Sequence, residues 1–201
     1  MGVFAAECPA AHDPVVVIDS TPVECGRSVE TTRRSQLADW CGYGYSQSHS
    51  RWFWGMRLHL ACSLDGTPRA VMLVGADHKE RDVALRQLLP LVARSGATVA
   101  VADKGYAGRD FVTSAASLGV TILRPARRDE PGHGPHLAPI RQRIESVFHT
   151  CKDILTLERH GARTLPNLKA RIATRLLALT AAIWLNHNLQ RPSRTLADLT
   201  A

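Results

Sequence analysis

The chain has 201 residues, 45% of them hydrophobic and 21% charged, with a formal net charge of +7. That is enough apolar material for the core of one medium-sized domain, and it excludes disorder as the default state. The five cysteines are widely spaced with no Cys-x-x-Cys pair, which fits reduced thiols in a cytoplasm. The longest apolar stretch, around 176–185, is interrupted by Thr180 and too short to cross a bilayer.

A short N-terminal segment, 1–14, shows no clear period and ends at Pro14. Val15-Val16-Val17-Ile18 is a β-branched apolar run that reads as a buried strand ending in a carboxylate, Asp19. Residues 25–50 are polar and Gly-rich, and read as an irregular excursion with one helical turn. Two strands, 52–63 and 69–75, flank Leu64-Asp65-Gly66-Thr67, whose Asp-Gly pair is a hairpin signal. Within the first of them Trp52, Phe53 and Trp54 read as core before base-stacking groups, as does Trp184. Alternation sets Phe53 opposite Trp52 and Trp54, so one side is buried and the other covered by a helix or exposed, while Tyr43 and Tyr45 in the Gly-rich excursion are better placed to stack on a ligand.

Apolar spacing predicts a helix over 81–94, stopped by Ser95-Gly96, then a second buried strand, 98–102, running into Asp103. A helix over 109–118 and a strand over 120–123 follow, leading to the basic loop Arg124-Pro125-Ala126-Arg127-Arg128. His133 and His136 have no cysteines near them and read as loop residues, not zinc ligands. Pro139 suits the first turn of a helix reaching about 154. A last helix spans 167–190, and 191–201 form a polar tail. The pattern predicts one mixed α/β domain over 15–190.

The cations are concentrated late in the chain: 124–175 holds eleven Lys or Arg against five Asp or Glu. Clustered cations favour a polyanionic partner, with a pair of solvated helix faces as the alternative. Asp19 and Asp103 each end an apolar strand, and in open α/β sheets ligands sit beyond the carboxyl ends of strands. Either aspartate alone reads first as an Asx turn or a helix cap, and the pair needs a third ligand to carry the metal reading. On the helix that begins near Pro139, Arg141, Glu145 and Lys152 fall on one stripe at the border of the apolar face. Arg141 and Glu145 could also simply pair, being four residues apart. Three carboxylates are hard oxygen ligands suited to two Mg²⁺ ions, and such a pair drives phosphodiester displacement without a nucleophilic side chain. No phosphate loop, Rossmann glycine motif or serine elbow competes with this reading.

The motifs Ile18-Asp19-Ser20-Thr21, Gly55-Met56-Arg57-Leu58-His59-Leu60, Ala102-Asp103-Lys104-Gly105-Tyr106 and Arg-x3-Glu-x6-Lys at Arg141, Glu145 and Lys152 resemble the DDE transposases of bacterial insertion sequences. Glu145 lies 42 residues after Asp103, as in compact members without a β-rich insertion. The resemblance implies an RNase H-like fold and metal binding by Asp19, Asp103 and Glu145, with Mg²⁺ as the ion and Mn²⁺ as a substitute. It also implies cleavage and strand transfer at element ends, a homodimer in the active complex, and phosphate contacts from Arg141 and Lys152. Arg57, Lys104, Arg127 and Arg128 complete the expected DNA-binding set. Two positions depart from the family pattern: the signature tyrosine is Ala138, and the hairpin lysine is Arg57. Relatives carry a helical region before the first aspartate, whereas only 18 residues precede Asp19, so a truncated copy or the downstream product of a split frame is expected. The competing readings are a non-transposing nuclease of the same fold and an inactive DNA-binding or oligomerising remnant.

Overall fold

The computed structural model describes residues 2–46, 50–130 and 136–193, with side chains described from residue 5. The elements in chain order are α1 (Gly2–Glu7), β1 (Val15–Gly26), α2 (Val29–Arg34), β2 (Gly42–Ser46), β3 (Arg51–Cys62) and β4 (Pro68–Gly75). They continue with α3 (Glu80–Val83), a π-helical turn (Ala84–Leu88), α4 (Leu89–Arg94), β5 (Val99–Val101), α5 (Arg109–Ser117), β6 (Thr121–Leu123), α6 (Ala138–Asp153) and α7 (Leu165–Asn188).

The strands form one mixed sheet in the order β2-β3-β1-β5-β6, with β4 also paired to β3. β1 pairs antiparallel with β3 along most of its length but parallel with β5 only at Val15, Val16 and Val17. The alternation of β1 and β5 divides their side chains between two cores. Val17 and Val101 join Leu58, Leu60, Ile144, Val147, Leu168, Ile172 and Leu176 beneath α6 and α7. Val16, Ile18, Ala100 and Ala102 join Leu88, Leu89, Val92, Phe111 and Ala115 beneath α3, α4 and α5. A sheet apolar on both faces needs helices on both, and the chain supplies them.

Several local expectations are met for identifiable reasons. The β3–β4 turn is held by Asp65, whose Oδ1 accepts from Thr67 N at 2.8 Å, with Gly66 at φ 99°. Pro139 lies in the first turn of α6 and Pro166 in that of α7, where Thr164 caps the helix. All five cysteines are free thiols. Among the described residues, no helix is long and apolar enough to cross a membrane.

Other expectations need correction. Asp19 does not end its strand, because β1 continues to Gly26, paired with β3. What stops at Val17 is the pairing with β5, so an apolar-to-polar change marked the divergence of two strands and not a strand end. The 25–50 region contains helix α2, capped by Ser28, and edge strand β2. Trp52 is not core: it is 67% exposed, while Phe53 and Trp54 are buried. The first residues form α1 and a 3₁₀ turn, and α1 packs on α7 with Trp184 Nε1 donating to Glu7 Oε2 at 2.8 Å. His136 is exposed, and His133 lies outside the described residues.

Candidate active site

β1 and β5 separate immediately before Asp19, and a crevice opens where their pairing stops. Asp19 and Asp103 each follow, by two residues, a valine in the core beneath α6 and α7. Both aspartates line one open cleft of about 620 Å³, together with Ser20, Arg57, Glu80 and Gly105. Asp103 starts a 3₁₀ turn over Lys104–Tyr106, and its Oδ1 accepts from Gly105 N at 2.7 Å. A Cβ at position 105 would lie 2.8 Å from that same oxygen, so a side chain there would push the Asp103 carboxylate aside. The turn role foreseen for a lone aspartate is therefore real, and it leaves Oδ2 outside the Asp103–Gly105 bond.

Asp19 Oδ1 accepts from Ser20 N at 2.8 Å. Burial, reinforced by the charges of Asp103 and Glu80, pushes its carboxyl up to about 7, against the opposing Ser20 N–H bond and the Arg141 charge. Tyr106 is buried beside the same carboxylates. Among the described residues its hydroxyl has no hydrogen-bond partner, and burial followed by the Glu80, Asp19 and Asp103 charges raises its pKa well above the ordinary value. Concentrated negative charge around a buried, unpartnered hydroxyl is an environment that a cation would relieve.

Glu145 stands apart from this pair. It lies on α6, 56% exposed at its side chain, with Oε1 3.8 Å from Arg141 Nη2. Among the described residues no three His, Cys, Asp or Glu side chains converge as a metal-holding group. The two aspartates thus fit a hard divalent cation as donors, and the third expected carboxylate is not gathered with them. Arg141 links the two parts, since it pairs with Glu145 and its charge is felt at Asp19.

The expected DNA-binding cations fall into two groups. Arg57 is bound inside the cleft: its Nη1 donates to Glu80 Oε1 at 2.6 Å and Ser20 Oγ at 3.3 Å, and its Nη2 donates to Tyr45 O at 3.0 Å. Its guanidinium also lies over the Phe53 ring, 5.6 Å from the centroid. Lys104 is exposed beside Asp103, and its carbonyl accepts from Arg127 Nε at 3.1 Å. Arg127 and Arg128 are exposed on the loop after β6, whereas Lys152 is tied to Glu158 at 3.3 Å. Glu80 was not singled out from the sequence, and Ser20 only as part of the Ile18-Asp19-Ser20-Thr21 motif. A glutamate opening a helix is an unspecific signal, and only the fold brings it to Arg57.

A mixed sheet with a central antiparallel strand, helices on both faces and two aspartates at the divergence of parallel strands defines a mixed α/β domain with an acidic cleft at the strand divergence. The chain belongs to the transposase DDE domain family, whose model matches residues 10–181. The catalytic core domain of BIV integrase is similar in fold, with a TM-score of 0.50 and 12% identity over 90% of this chain and 97% of that one. A chain of the simian T-cell lymphotropic virus intasome, solved in complex with PP2A regulatory subunit B56 gamma, gives a TM-score of 0.48 at 14% identity. That match covers 82% of this chain and 47% of the viral one. No functionally curated protein matches the chain.

Proposed function

We propose that this chain catalyses phosphodiester cleavage and strand transfer on DNA, as the catalytic domain of a transposase, with Asp19, Asp103 and Glu145 as its acidic residues. The observation that carries this reading is the convergence of Asp19 and Asp103 in one cleft, in a chain of the transposase DDE family. Divalent cations, Mg²⁺ or Mn²⁺ and two in number, would supply activation of the attacking oxygen and stabilisation of the leaving one.

The chain's own residues hold and orient. Asp19 and Asp103 offer paired carboxylates, and burial, reinforced by the charges of Asp103 and Glu80, holds the Asp19 carboxyl up at about 7, so that it is part-protonated near neutrality. Arg141, which pairs with Glu145, would exchange it for a DNA phosphate and so free the Glu145 carboxylate to join the two aspartates. Arg57 would make the same exchange with Glu80. Lys104, Arg127, Arg128 and Lys152 would position the duplex by its phosphates, with element ends and target DNA as substrates and a homodimer as the acting unit.

Oligonucleotide cleavage and strand-transfer assays test this, using Asp19→Asn, Asp103→Asn and Glu145→Gln proteins whose folding is verified by circular dichroism. Each should lose both reactions while retaining DNA binding. Hydrolysis without joining by the unaltered chain would make it a nuclease. Full activity of any one variant would remove that residue from the site.

A further inference from the structure

Outside the acid pair, the most unusual surface is on the β2–β3 ribbon. Tyr43, Tyr45 and Trp52 are 55%, 44% and 67% exposed, although residues of this size are normally covered. The strand register explains how they come together. Tyr43 opposes Trp54 and Tyr45 opposes Trp52, and cross-strand partners share a face, so four rings form a ladder with Trp54 as its buried root. Tyr45 and Trp52 meet edge-on with centroids 5.6 Å apart.

The Gly-Tyr-Gly-Tyr alternation of β2 fixes which side the rings take. A Cβ at Gly42 would lie 2.1 Å from Asp77 Oδ1, and one at Gly44 would lie 2.7 Å from Ala76 O. The glycines lie against the 76–77 segment, and the tyrosines are directed away from it.

This ladder is continuous with the candidate active site. Tyr43, Tyr45 and Trp52 stand at the rim of the cleft that holds Asp19 and Asp103, on the face of β3 opposite Arg57 and Phe53. On the other side Tyr43, Trp52 and Trp54 border a second hollow with Arg27 and Arg51. Both guanidiniums share one carboxylate, Glu24, at 3.1 and 2.9 Å, so the rim keeps a net positive charge. Flat apolar rings beside cations, on a path into an acid cleft, match the alternating bases and phosphates of a single strand.

We propose that the outer face of the β2–β3 ribbon, centred on Tyr45 and Trp52, is a stacking platform for unpaired bases of a DNA strand entering the acid cleft. It rests on the DNA reading above and adds to it a site for unstacked bases. Every base presents a π-face, so the platform accepts any sequence and discriminates base-bearing from abasic strands.

The test is fluorescence anisotropy with the full chain in EDTA, at one salt concentration. The probes are a short oligothymidylate, an abasic strand of the same length, and a blunt duplex. The unaltered protein should prefer the base-bearing to the abasic strand. Tyr45→Ala with Trp52→Ala, both exposed and so tolerated by the fold, should cost about tenfold or more in affinity for the base-bearing strand alone. Trp52→Phe, which keeps a ring, should retain most of it.

Unchanged base-bearing affinity in the double variant would overturn the platform, as would an equal loss on all three probes. A change in sedimentation behaviour without a change in strand binding would instead make the face an interface between copies. If the unaltered protein binds the duplex but shows no base dependence, the platform fails and the DNA reading stands. If it binds no probe at all, both fail.

Discussion

Two titratable groups on adjacent strands, the buried His59 and the half-buried Asp19, are expected to give opposing pH dependences that conceal each other, and Asp19→Asn should expose one of them. Burial holds His59, which opposes Ser20 in the register, at about 4 against an ordinary 6.5, with Arg57 and His78 adding to the effect; both ring nitrogens lack partners. A depressed folded pKa means that its stability is fully present above pH 6.5 and is lost as pH falls toward 4. Asp19 has the opposite sign. Its folded pKa is raised from 3.8 to about 7, so the fold is favoured below the unfolded value and that advantage is lost as pH rises through 7. At about 1.4 kcal/mol per tenfold change, moving from pH 7.5 to 5 relieves Asp19 and penalises His59 by comparable amounts, each about 2 to 3 kcal/mol.

The metal-free protein should therefore change little in stability across that range through these two groups, by less than about 1 kcal/mol. Asp19→Asn keeps an oxygen for the Ser20 N–H and removes the buried charge. It should be more stable than the unaltered protein at pH 7.5 by up to about 4 kcal/mol, and should lose about 2 kcal/mol by pH 5. Urea denaturation at several pH values in EDTA measures both quantities. A variant that is less stable at pH 7.5, or as flat in pH as its parent, would refute the claim that Asp19 is strained by burial and neighbouring charge.

Gly105→Ala would force a methyl group against Asp103 Oδ1 and displace the carboxylate, so cleavage should fall by about a hundredfold with little change in melting temperature. Near-normal cleavage would show that the turn does not aim Asp103. Glu80→Gln should weaken the hold on Arg57 and tighten duplex binding up to about fivefold in anisotropy at fixed salt, the range expected of a half-exposed ion pair. Weaker binding instead would mean that Glu80 orients Arg57 toward DNA.

Most of the fold was legible because its signals are local. The Asp-Gly turn, Pro139, Ser95-Gly96 and the β-branched run before Asp19 each act over a few residues, and the structure places elements close to where they pointed. What could not be read is set by partners distant in sequence. That β1 runs on past Asp19 depends on its pairing with β3, the opening beside Asp19 depends on where β5 stops pairing, and Trp52 and Trp54 differ in exposure although they share a face. Glu145 was read with its alternative, pairing to Arg141, and the structure contains that pair. The Arg57–Glu80 contact joins residues 23 positions apart through the β4 turn-back, and no spacing rule would single it out.

The short parallel pairing between β1 and β5 has a mechanical consequence. Asp19 is carried by a strand zipped to β3 over most of its length, while Asp103 is carried by a segment fastened to β1 only along Val15–Val17. The two carboxylates therefore ride on jaws of unequal stiffness, like a caliper with one fixed and one adjustable arm. Backbone amides of β5 should exchange with deuterium sooner than those in the middle of β3, and a ligand clamped between the jaws should slow that exchange most along this seam.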